Sequence, residues 1–473
     1  MGVQVFGPPE LVRAIDNLLR IYFPTPAGSQ VEIQLEQACV EGKSCVICKV
    51  GGQVVTEPIG DQPKRSAKVA FIKAMHALSP ELRLPWGILT GIRPTKIVHR
   101  LLDQGYALEQ IPACLEQQYL IEPEKVALVL QVANLQRGYL LTPQQARKSV
   151  SVYIGVPFCP SRCVYCSFPS VVGEKLHLEE YVSALGQEIA ALGAFLKEYK
   201  LGVQTLYIGG GTPTILEESQ LRELLTLCQT YLIDSDTQEI TVEAGRPDTL
   251  DRGKLSLLRD MGVGRLSINP QTMVDKTLVK IGRKHTPEQI LEAVELARKL
   301  GFNNINMDII LGLPGERLSD VLYTLEQLER LKPESLTVHA LAVKRASALR
   351  EEIGENQLLS GKEAEEMQAA AFQSAQSMGL VPYYLYRQKQ ILGNLENVGY
   401  AKPGKESVYN IQIMEERQSI FALGAGSTTK IVNPSDWSLV NIPNPKLPER
   451  YYERWQDLMT EKIRVFTEFN ELA

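Results

Sequence analysis

Several things are scarce in this chain, and each scarcity excludes something. Eight cysteines in 473 residues are too few for a disulfide scaffold. No apolar run reaches the roughly 18 residues needed to cross a bilayer. The first 23 residues interleave Glu10, Arg13, Asp16 and Arg20 with apolar positions, the pattern of an amphipathic helix rather than a secretory signal. An excess of one charge sign is also missing: 50 Lys+Arg face 55 Asp+Glu, which argues against a generic polyanion binder. Low-complexity tracts are absent. What is present, 44% apolar and 22% charged residues, is ordinary for a globular chain. The chain is long enough to bury cores unaided, and at roughly 100–200 residues per domain it should hold two to four of them. These features describe a cytoplasmic, multi-domain protein with no membrane span.

Residues 1–148 read as an N-terminal α+β module: a helix over 9–22, paired strands over 30–37 and 44–50, a helix over 64–78, then further helices. The loop Pro85-Trp86-Gly87-Ile88-Leu89-Thr90-Gly91-Ile92-Arg93-Pro94 interrupts them. With 16 Lys/Arg against 13 Asp/Glu in residues 1–150, the module shows no nucleic-acid signature. From 149 the rhythm changes. Short apolar runs at 151–156, 204–208, 239–244, 265–269, 304–311 and 335–343 alternate with helical stretches. Six strand–helix units predict a parallel sheet wound right-handed, a partial (β/α)6 TIM-type barrel over 149–345. Chemistry belongs at its C-terminal strand ends. Residues 346–473 read as an appended domain or lid.

The first run of this barrel leads into Pro157-Phe158-Cys159-Pro160-Ser161-Arg162-Cys163-Val164-Tyr165-Cys166. Positions i, i+4 and i+7 fit one helix face, but Pro157, Pro160 and Pro169 oppose a helix. A disulfide would leave one thiol over. Zinc usually takes four protein ligands in structural sites, and no fourth Cys or His lies nearby. Three thiolates in a tight loop suit three irons of a [4Fe–4S] cluster, leaving the fourth iron open. Cys45 and Cys48 repeat a Cys-x2-Cys spacing, but on opposite faces of a strand, and read as buried thiols. Cys39, Cys114 and Cys228 read as core or incidental.

After the second run, Gly209-Gly210-Gly211-Thr212-Pro213-Thr214 leads toward a helix. Glycines let the backbone approach a ligand, and amides near a helix start favour an anion. Glu243, Gln271 and Asp308 fall at the ends of later strands, or within them, and Arg283 lies between two of these. Together they mark the predicted active face.

The Cys-x3-Cys-x2-Cys loop with Tyr165 before its last cysteine matches the radical S-adenosylmethionine superfamily. With Tyr153-Ile-Gly-Val-Pro-Phe, Gly-Gly-Gly-Thr-Pro-Thr, Ile281-Gly-Arg-Lys-His-Thr286 and Asn306-Met-Asp308, the sequence resembles the oxygen-independent coproporphyrinogen III oxidase family (HemN-like). The Pro-Trp-Gly-Ile-Leu-Thr-Gly-Ile-Arg-Pro segment is most like its HemZ branch. The resemblance implies a [4Fe–4S] cluster on Cys159, Cys163 and Cys166 and S-adenosylmethionine as cofactor. It places Tyr153 and Tyr165 against the nucleoside, and Gly210, Gly211, Thr212 and Glu243 at the methionine end. Gln271, Arg283 and Asp308 would hold the ribose region, with Ala342 lining the pocket. It further implies oxidative decarboxylation of coproporphyrinogen III in haem biosynthesis, with an electron donor such as flavodoxin or ferredoxin. Lys344, Arg345, Arg387 and Lys389 are candidate partners for the tetrapyrrole carboxylates, and Tyr383, Tyr384 and Tyr386 either face the macrocycle or form a packed strand. Gly155 and Phe168 stand where the family's well-characterised oxidases carry His and Cys. Related haem chaperones carry Phe at the second place, so a haem chaperone or another radical tetrapyrrole-modifying enzyme is the alternative. A tRNA-modifying enzyme is a third reading, disfavoured by charge.

Overall fold

The computed structural model describes residues 3–23, 31–60, 62–82, 84–172, 177–342, 361–388 and 391–471. The chain forms two compact units, one of Met1–Asn134 with Leu385–Glu396, the other of Leu135–Tyr384 with Asn397–Ala473.

The first unit runs β1 (Gln4–Phe6), α1 (Pro9–Tyr22), β2 (Glu32–Val40), β3 (Lys43–Val50), β4 (Gln53–Pro58), α2 (Pro63–Leu78), α3 (Thr95–Asp103), α4 (Ile111–Tyr119) and α5 (Pro123–Gln136). The sheet order is β1-β2-β3-β4, with β1 parallel to β2 and the rest antiparallel. The two hairpins turn at Glu41-Gly42 and Gly51-Gly52, all four residues at positive φ, as two-residue hairpin turns that follow strand twist require. β4 is an additional strand that the sequence reading missed. Leu11, Ile15 and Leu18 of α1 and Ala67, Ala70, Phe71 and Ala74 of α2 are fully buried, the i, i+3/i+4 stripes of two amphipathic helices.

The second unit continues with α6 (Pro143–Ala146), β5 (Ser149–Val156), α7 (Leu178–Glu198), β6 (Gly202–Gly210), α8 (Glu218–Tyr231), β7 (Glu239–Glu243), α9 (Arg252–Asp260), β8 (Arg265–Ser267), α10 (Asp275–Lys280), α11 (Pro287–Lys299), β9 (Ile305–Leu311), α12 (Leu318–Leu331) and β10 (Ser335–Ala340). All six expected strands form, and each pairs in parallel with the next. Helix starts follow local chemistry. Thr286 accepts from the Gln289 amide while the Gln289 side chain returns to the Thr286 amide, and Asp251 caps α9 by accepting from Lys254 N.

The C-terminal residues, apart from Leu385–Glu396, are part of the second unit. After α13 (Gly361–Ser377), the elements β11 (Val381–Tyr386), β12 (Asn397–Ala401), α14 (Val408–Glu415), β13 (Ile420–Leu423), β14 (Thr428–Val432) and β15 (Leu439–Pro443) lead to α15 (Pro448–Asn470). Their strands extend the same sheet at both edges, in the order β11-β12-β10-β9-β8-β7-β6-β5-β13-β14-β15. β13 lies parallel to β5, a seventh parallel strand beside the one that carries the cysteine loop. A buried ion pair positions it. Glu188 on α7 accepts from Lys462 Nζ (3.0 Å), Tyr451 Oη (2.7 Å) and Gly424 N (2.8 Å), and Lys462 also donates to Ala422 O.

One candidate tetrapyrrole contact is corrected, and two of the tyrosines take the packed-strand alternative. Arg387 does not point at a substrate: it is 4% exposed, stacks over Trp86 at 5.3 Å and donates to the carbonyls of Leu89, Asn394 and Leu395. Tyr383 and Tyr384 are packed into β11, 0% and 5% exposed. Lys344, Arg345 and Lys389 lie outside the described residues.

Candidate active site: a cysteine loop over a glycine cradle

The cysteine loop leaves β5 at Val156 and is pinned at several points. Cys159 N donates to Val171 O, Val164 N to Ile281 O, and Cys166 N to Cys163 O, each at 3.1 Å. Ser161 Oγ donates to Gly282 O at 3.0 Å. Gly282 has φ +77, and a Cβ there would sit 2.9 Å from Arg162 O, so the Ile281-Gly282-Arg283 turn backs the loop only as glycine. Cys163 is buried and Cys159 and Cys166 are half-buried. Burial pushes the Cys159 and Cys166 thiols up, and a hydrogen bond from Thr212 and the positive charge of Arg246 act the other way on Cys159. Arg283 does the same for Cys166.

The glycine run lies against this loop. Gly211 N donates to Val156 O and Thr212 N to Phe158 O, and Thr212 Oγ1 is 3.5 Å from Cys159 Sγ. A Cβ on Gly211 would fall 2.5 Å from Phe158 O, and one on Gly209 2.8 Å from the Glu243 carboxyl. Gly210 has φ +109. The run is therefore glycine because backbone, not side chain, must fill this space.

Glu243 ends β7 beneath the glycines. It accepts from Tyr207 Oη at 2.8 Å, yet burial raises its carboxyl to about 7, with Asp308 pushing the same way. Asp308 goes down instead: burial opposes ionisation, but bonds and charge from His339, with bonds from Asn306 and Thr337, outweigh it. Two neighbouring acids thus differ: Asp308 is ionised at neutral pH, whereas Glu243 is only partly so. Gln271 is buried with φ +65, held by its own amide on Asp308 O and its carbonyl accepting from Ile310 N.

The remaining expected residues fall as follows. Arg283 is buried and gives Nη1 to Gly245 O (2.9 Å) and Asn269 O (2.6 Å), with its charge beside Tyr165 and Cys163. Tyr165 packs with Val164 on Leu278, Ile281, Ile310, Leu313 and Leu341. Tyr153 stacks with Tyr207 (6.0 Å, 18°) and Tyr409 (6.1 Å, 20°), a three-tyrosine wall in which Tyr409 comes from α14. Ala342 follows β10, half-buried. Phe168 is 62% exposed. Cys45 and Cys48 are buried in β3 as ordinary thiols.

Sequence reasoning missed Tyr207, Tyr409, Arg246, His285 and His339. Arg246 forms a two-point pair with Asp248 and donates to Ser161 Oγ. His285 sits buried with neither ring nitrogen partnered, its value lowered to about 3 by burial and the neighbouring arginines, so it is neutral. The Ile281–Thr286 motif already contained His285; a search for ligands rather than for supports passed over it.

The residues present fit the two groups their pattern implies. Among the described residues no set of His, Cys, Asp or Glu is arranged to hold a single metal ion, whereas ligands of a multi-iron cluster stand further apart. The glycine run packs its backbone directly against the cysteine loop and the Glu243 carboxyl, where no side chain would fit. Buried polar atoms without a protein partner, Gln271 Oε1 and Arg283 Nε, belong to residues expected at the ribose.

Sheet, cysteine loop and cradle together define a radical S-adenosylmethionine protein, and residues 153–328 match the model of the Radical SAM superfamily. The chain is 42% identical over 389 residues to the oxygen-independent coproporphyrinogen-III oxidase-like protein HemZ of Bacillus subtilis, covering 82% of this chain and 78% of that one. It is 34% identical over 280 residues to the haem chaperone HemW of the same organism, covering 59% and 70%. Among solved structures it resembles the coproporphyrinogen III oxidase HemN of Escherichia coli, with TM-score 0.55 and 22% identity over 69% of this chain and 73% of that one; that likeness concerns the fold. The chain belongs to the oxygen-independent coproporphyrinogen III oxidase-like family of the radical S-adenosylmethionine superfamily, whose cofactors are a [4Fe–4S] cluster and S-adenosylmethionine.

Proposed function

We propose that the protein oxidatively decarboxylates propionate side chains of coproporphyrinogen III to vinyl groups. The observation that carries this reading is the similarity to HemZ along 82% of the chain, together with an intact cradle. When bound, the cluster and S-adenosylmethionine supply a 5′-deoxyadenosyl radical able to take hydrogen from a propionate β-carbon; loss of CO2 and of one electron to an acceptor then leaves the alkene. A small electron carrier such as flavodoxin or ferredoxin is the expected reductant.

The chain's own residues bind and orient. Cys159, Cys163 and Cys166 would hold three irons as thiolates, with Arg246 and Arg283 offsetting negative charge and Thr212 donating to Cys159. Backbone around Gly210 and Gly211 and the Glu243 carboxylate would hold the methionine carboxylate and amino group. Asp308, Gln271 and Arg283 would hold the ribose region, and Tyr153 and Tyr165 would flank the nucleoside. The buried tyrosine hydroxyls stay protonated, because burial and Glu243 raise them.

The test is an anoxic assay of reconstituted protein with coproporphyrinogen III. Release of CO2, 5′-deoxyadenosine and methionine, abolished by Cys163→Ala, is expected; absence of decarboxylated product from cluster-loaded protein that still cleaves the cofactor overturns the reading. One observation favours a haem chaperone as second reading: Phe168 stands exposed on the cysteine loop, in a chain also similar to HemW. Stoichiometric haem binding without decarboxylation would establish it.

A further inference from the structure

The glutamate at the methionine end is held by a side chain that the cofactor assignment leaves out. β6 and β7 pair in parallel, Thr205 against Glu239 and Tyr207 against Thr241, and alternate residues of a strand share a face. Thr205, Tyr207 and Gly209 of β6 therefore lie beside Glu239, Thr241 and Glu243 of β7. Tyr207 Oη donates to Glu243 Oε1 at 2.8 Å. Gly209 leaves the space that the Glu243 carboxyl occupies, since a Cβ there would come within 2.8 Å of it. The bond and the space together fix where the carboxyl lies.

Tyr207 is backed in turn by a segment far away in the chain. Tyr409 of α14 stacks on its ring at 4.4 Å and 23°, closer than Tyr153 at 6.0 Å. Tyr409 stands in the first turn of α14, and that turn is anchored to the opposite end of β7. Glu239 accepts from Ser407 Oγ at 2.8 Å, Val408 N at 2.6 Å and Thr241 Oγ1 at 2.9 Å, a carboxylate at a helix start where the dipole favours one. The contacts close a circuit within the second unit. Glu239 fixes α14, α14 presents Tyr409, Tyr409 backs Tyr207, and Tyr207 holds Glu243. A phenylalanine would serve the stack equally well. The Tyr207 hydroxyl is spent instead on a carboxyl that burial favours in its protonated form.

We propose that Tyr207, backed by Tyr409, is a positioning residue for the cofactor: it aims the Glu243 carboxyl at the methionine amino group and keeps it available as a carboxylate. The inference rests on Glu243 being the methionine ligand, and not on which tetrapyrrole is the substrate. The groups facing Glu243 agree with it. Burial and Asp308 on β9 push its carboxyl up, while Tyr207, the Gly210 amide and Arg265 on β8 pull it down, leaving it at about 7. Asp308 is held low and Arg265 high, so both stay charged. Burial holds Tyr153, Tyr207 and Tyr409 up, so all three stay neutral. Of this set, Glu243 is the group that changes charge near neutrality.

The test has one arm without cofactor and one with it. In metal-free full-length protein, the pH dependence of urea unfolding is compared between wild type and Glu243→Gln, and between Tyr207→Phe and the double variant Tyr207→Phe with Glu243→Gln. Each difference reports the Glu243 midpoint in its own background. Loss of a hydrogen bond to the charged form should raise that midpoint by about one unit or more in Tyr207→Phe. In cluster-loaded protein, S-adenosylmethionine affinity is measured by anoxic equilibrium dialysis from about pH 6 to 9. Taken relative to wild type, so that the ligand's own titration cancels, Tyr207→Phe should bind about fivefold or more weakly at pH 7 and close most of that gap by pH 9. Tyr409→Leu should move both readouts the same way, and Tyr409→Phe, which keeps the stacked ring, should restore them. An unmoved midpoint, or a binding deficit that is the same at every pH, overturns the proposal. Should Glu243→Gln bind the cofactor as wild type does at every pH, the assignment of Glu243 itself fails, and this inference with it.

Discussion

Replacing Glu243 by glutamine should make the protein more stable and its cofactor binding worse, and both differences from wild type should grow as pH rises. Burial holds the Glu243 carboxyl at about 7 against an ordinary 4.5. Ionising it in the folded protein therefore costs on the order of 3 kcal/mol more than in the unfolded chain. A folded-state value above the unfolded one means that the stabilisation is fully present below about pH 4.5 and is lost as pH rises through about 7. Glutamine keeps an acceptor for Tyr207 Oη and has no proton to lose. Glu243→Gln is thus expected to exceed wild type by up to about 3 kcal/mol at pH 8 and to match it near pH 4.5, read by urea denaturation of the metal-free protein. Binding runs the other way. The ionised carboxylate is the stronger acceptor for the methionine amino group, and a group titrating near 7 gains about tenfold in ionised fraction between pH 6 and 8. Wild-type affinity for S-adenosylmethionine, measured anoxically on cluster-loaded protein, should rise by up to that factor over this range, and the variant's should stay flat. A variant no more stable than wild type at pH 8, with wild-type affinity flat from pH 6 to 8, would refute the reasoning.

Three further outcomes follow from particular contacts. Cys163→Ala should lose the visible iron–sulfur absorbance and all turnover while far-ultraviolet circular dichroism stays unchanged, since Cys163 is one of only three thiols in the loop. Gly211→Ala would put a Cβ 2.5 Å from Phe158 O; shifting the backbone to relieve such a contact costs about 1–3 kcal/mol, and weaker cofactor binding by dialysis, together with slower cluster reconstitution, is the expected reading. Lys462→Met leaves Glu188 buried without its counter-ion and should cost about 3–5 kcal/mol in urea denaturation; the double variant with Glu188→Gln should recover part of the loss.

The part of the site that could be read from the sequence is the part that is local in the chain. Cys159, Cys163 and Cys166 lie within eight residues, Gly209–Thr212 within four, and each strand–helix unit announces itself by periodicity, so short windows were enough. What escaped is what tertiary structure brings together. Ile420–Leu423 is a four-residue apolar run with no signal that it would pair with β5, some 270 positions earlier; only the Glu188–Lys462 pair and the Gly424–Gly155 approach (a Cβ on Gly424 would fall 2.4 Å from Gly155 O) require it there. Tyr409 reaches the site with the same segment. Arg387 misled for a related reason: a cation near tyrosines looks like a substrate contact until its fork is seen to be spent on three backbone carbonyls and the Asn394 side chain.

Glu243 breaks a local rule inside the barrel: it is a carboxylate buried at a cost to the fold. The residue that weakens the empty protein is the one with which the amino group of a bound methionine moiety would pair.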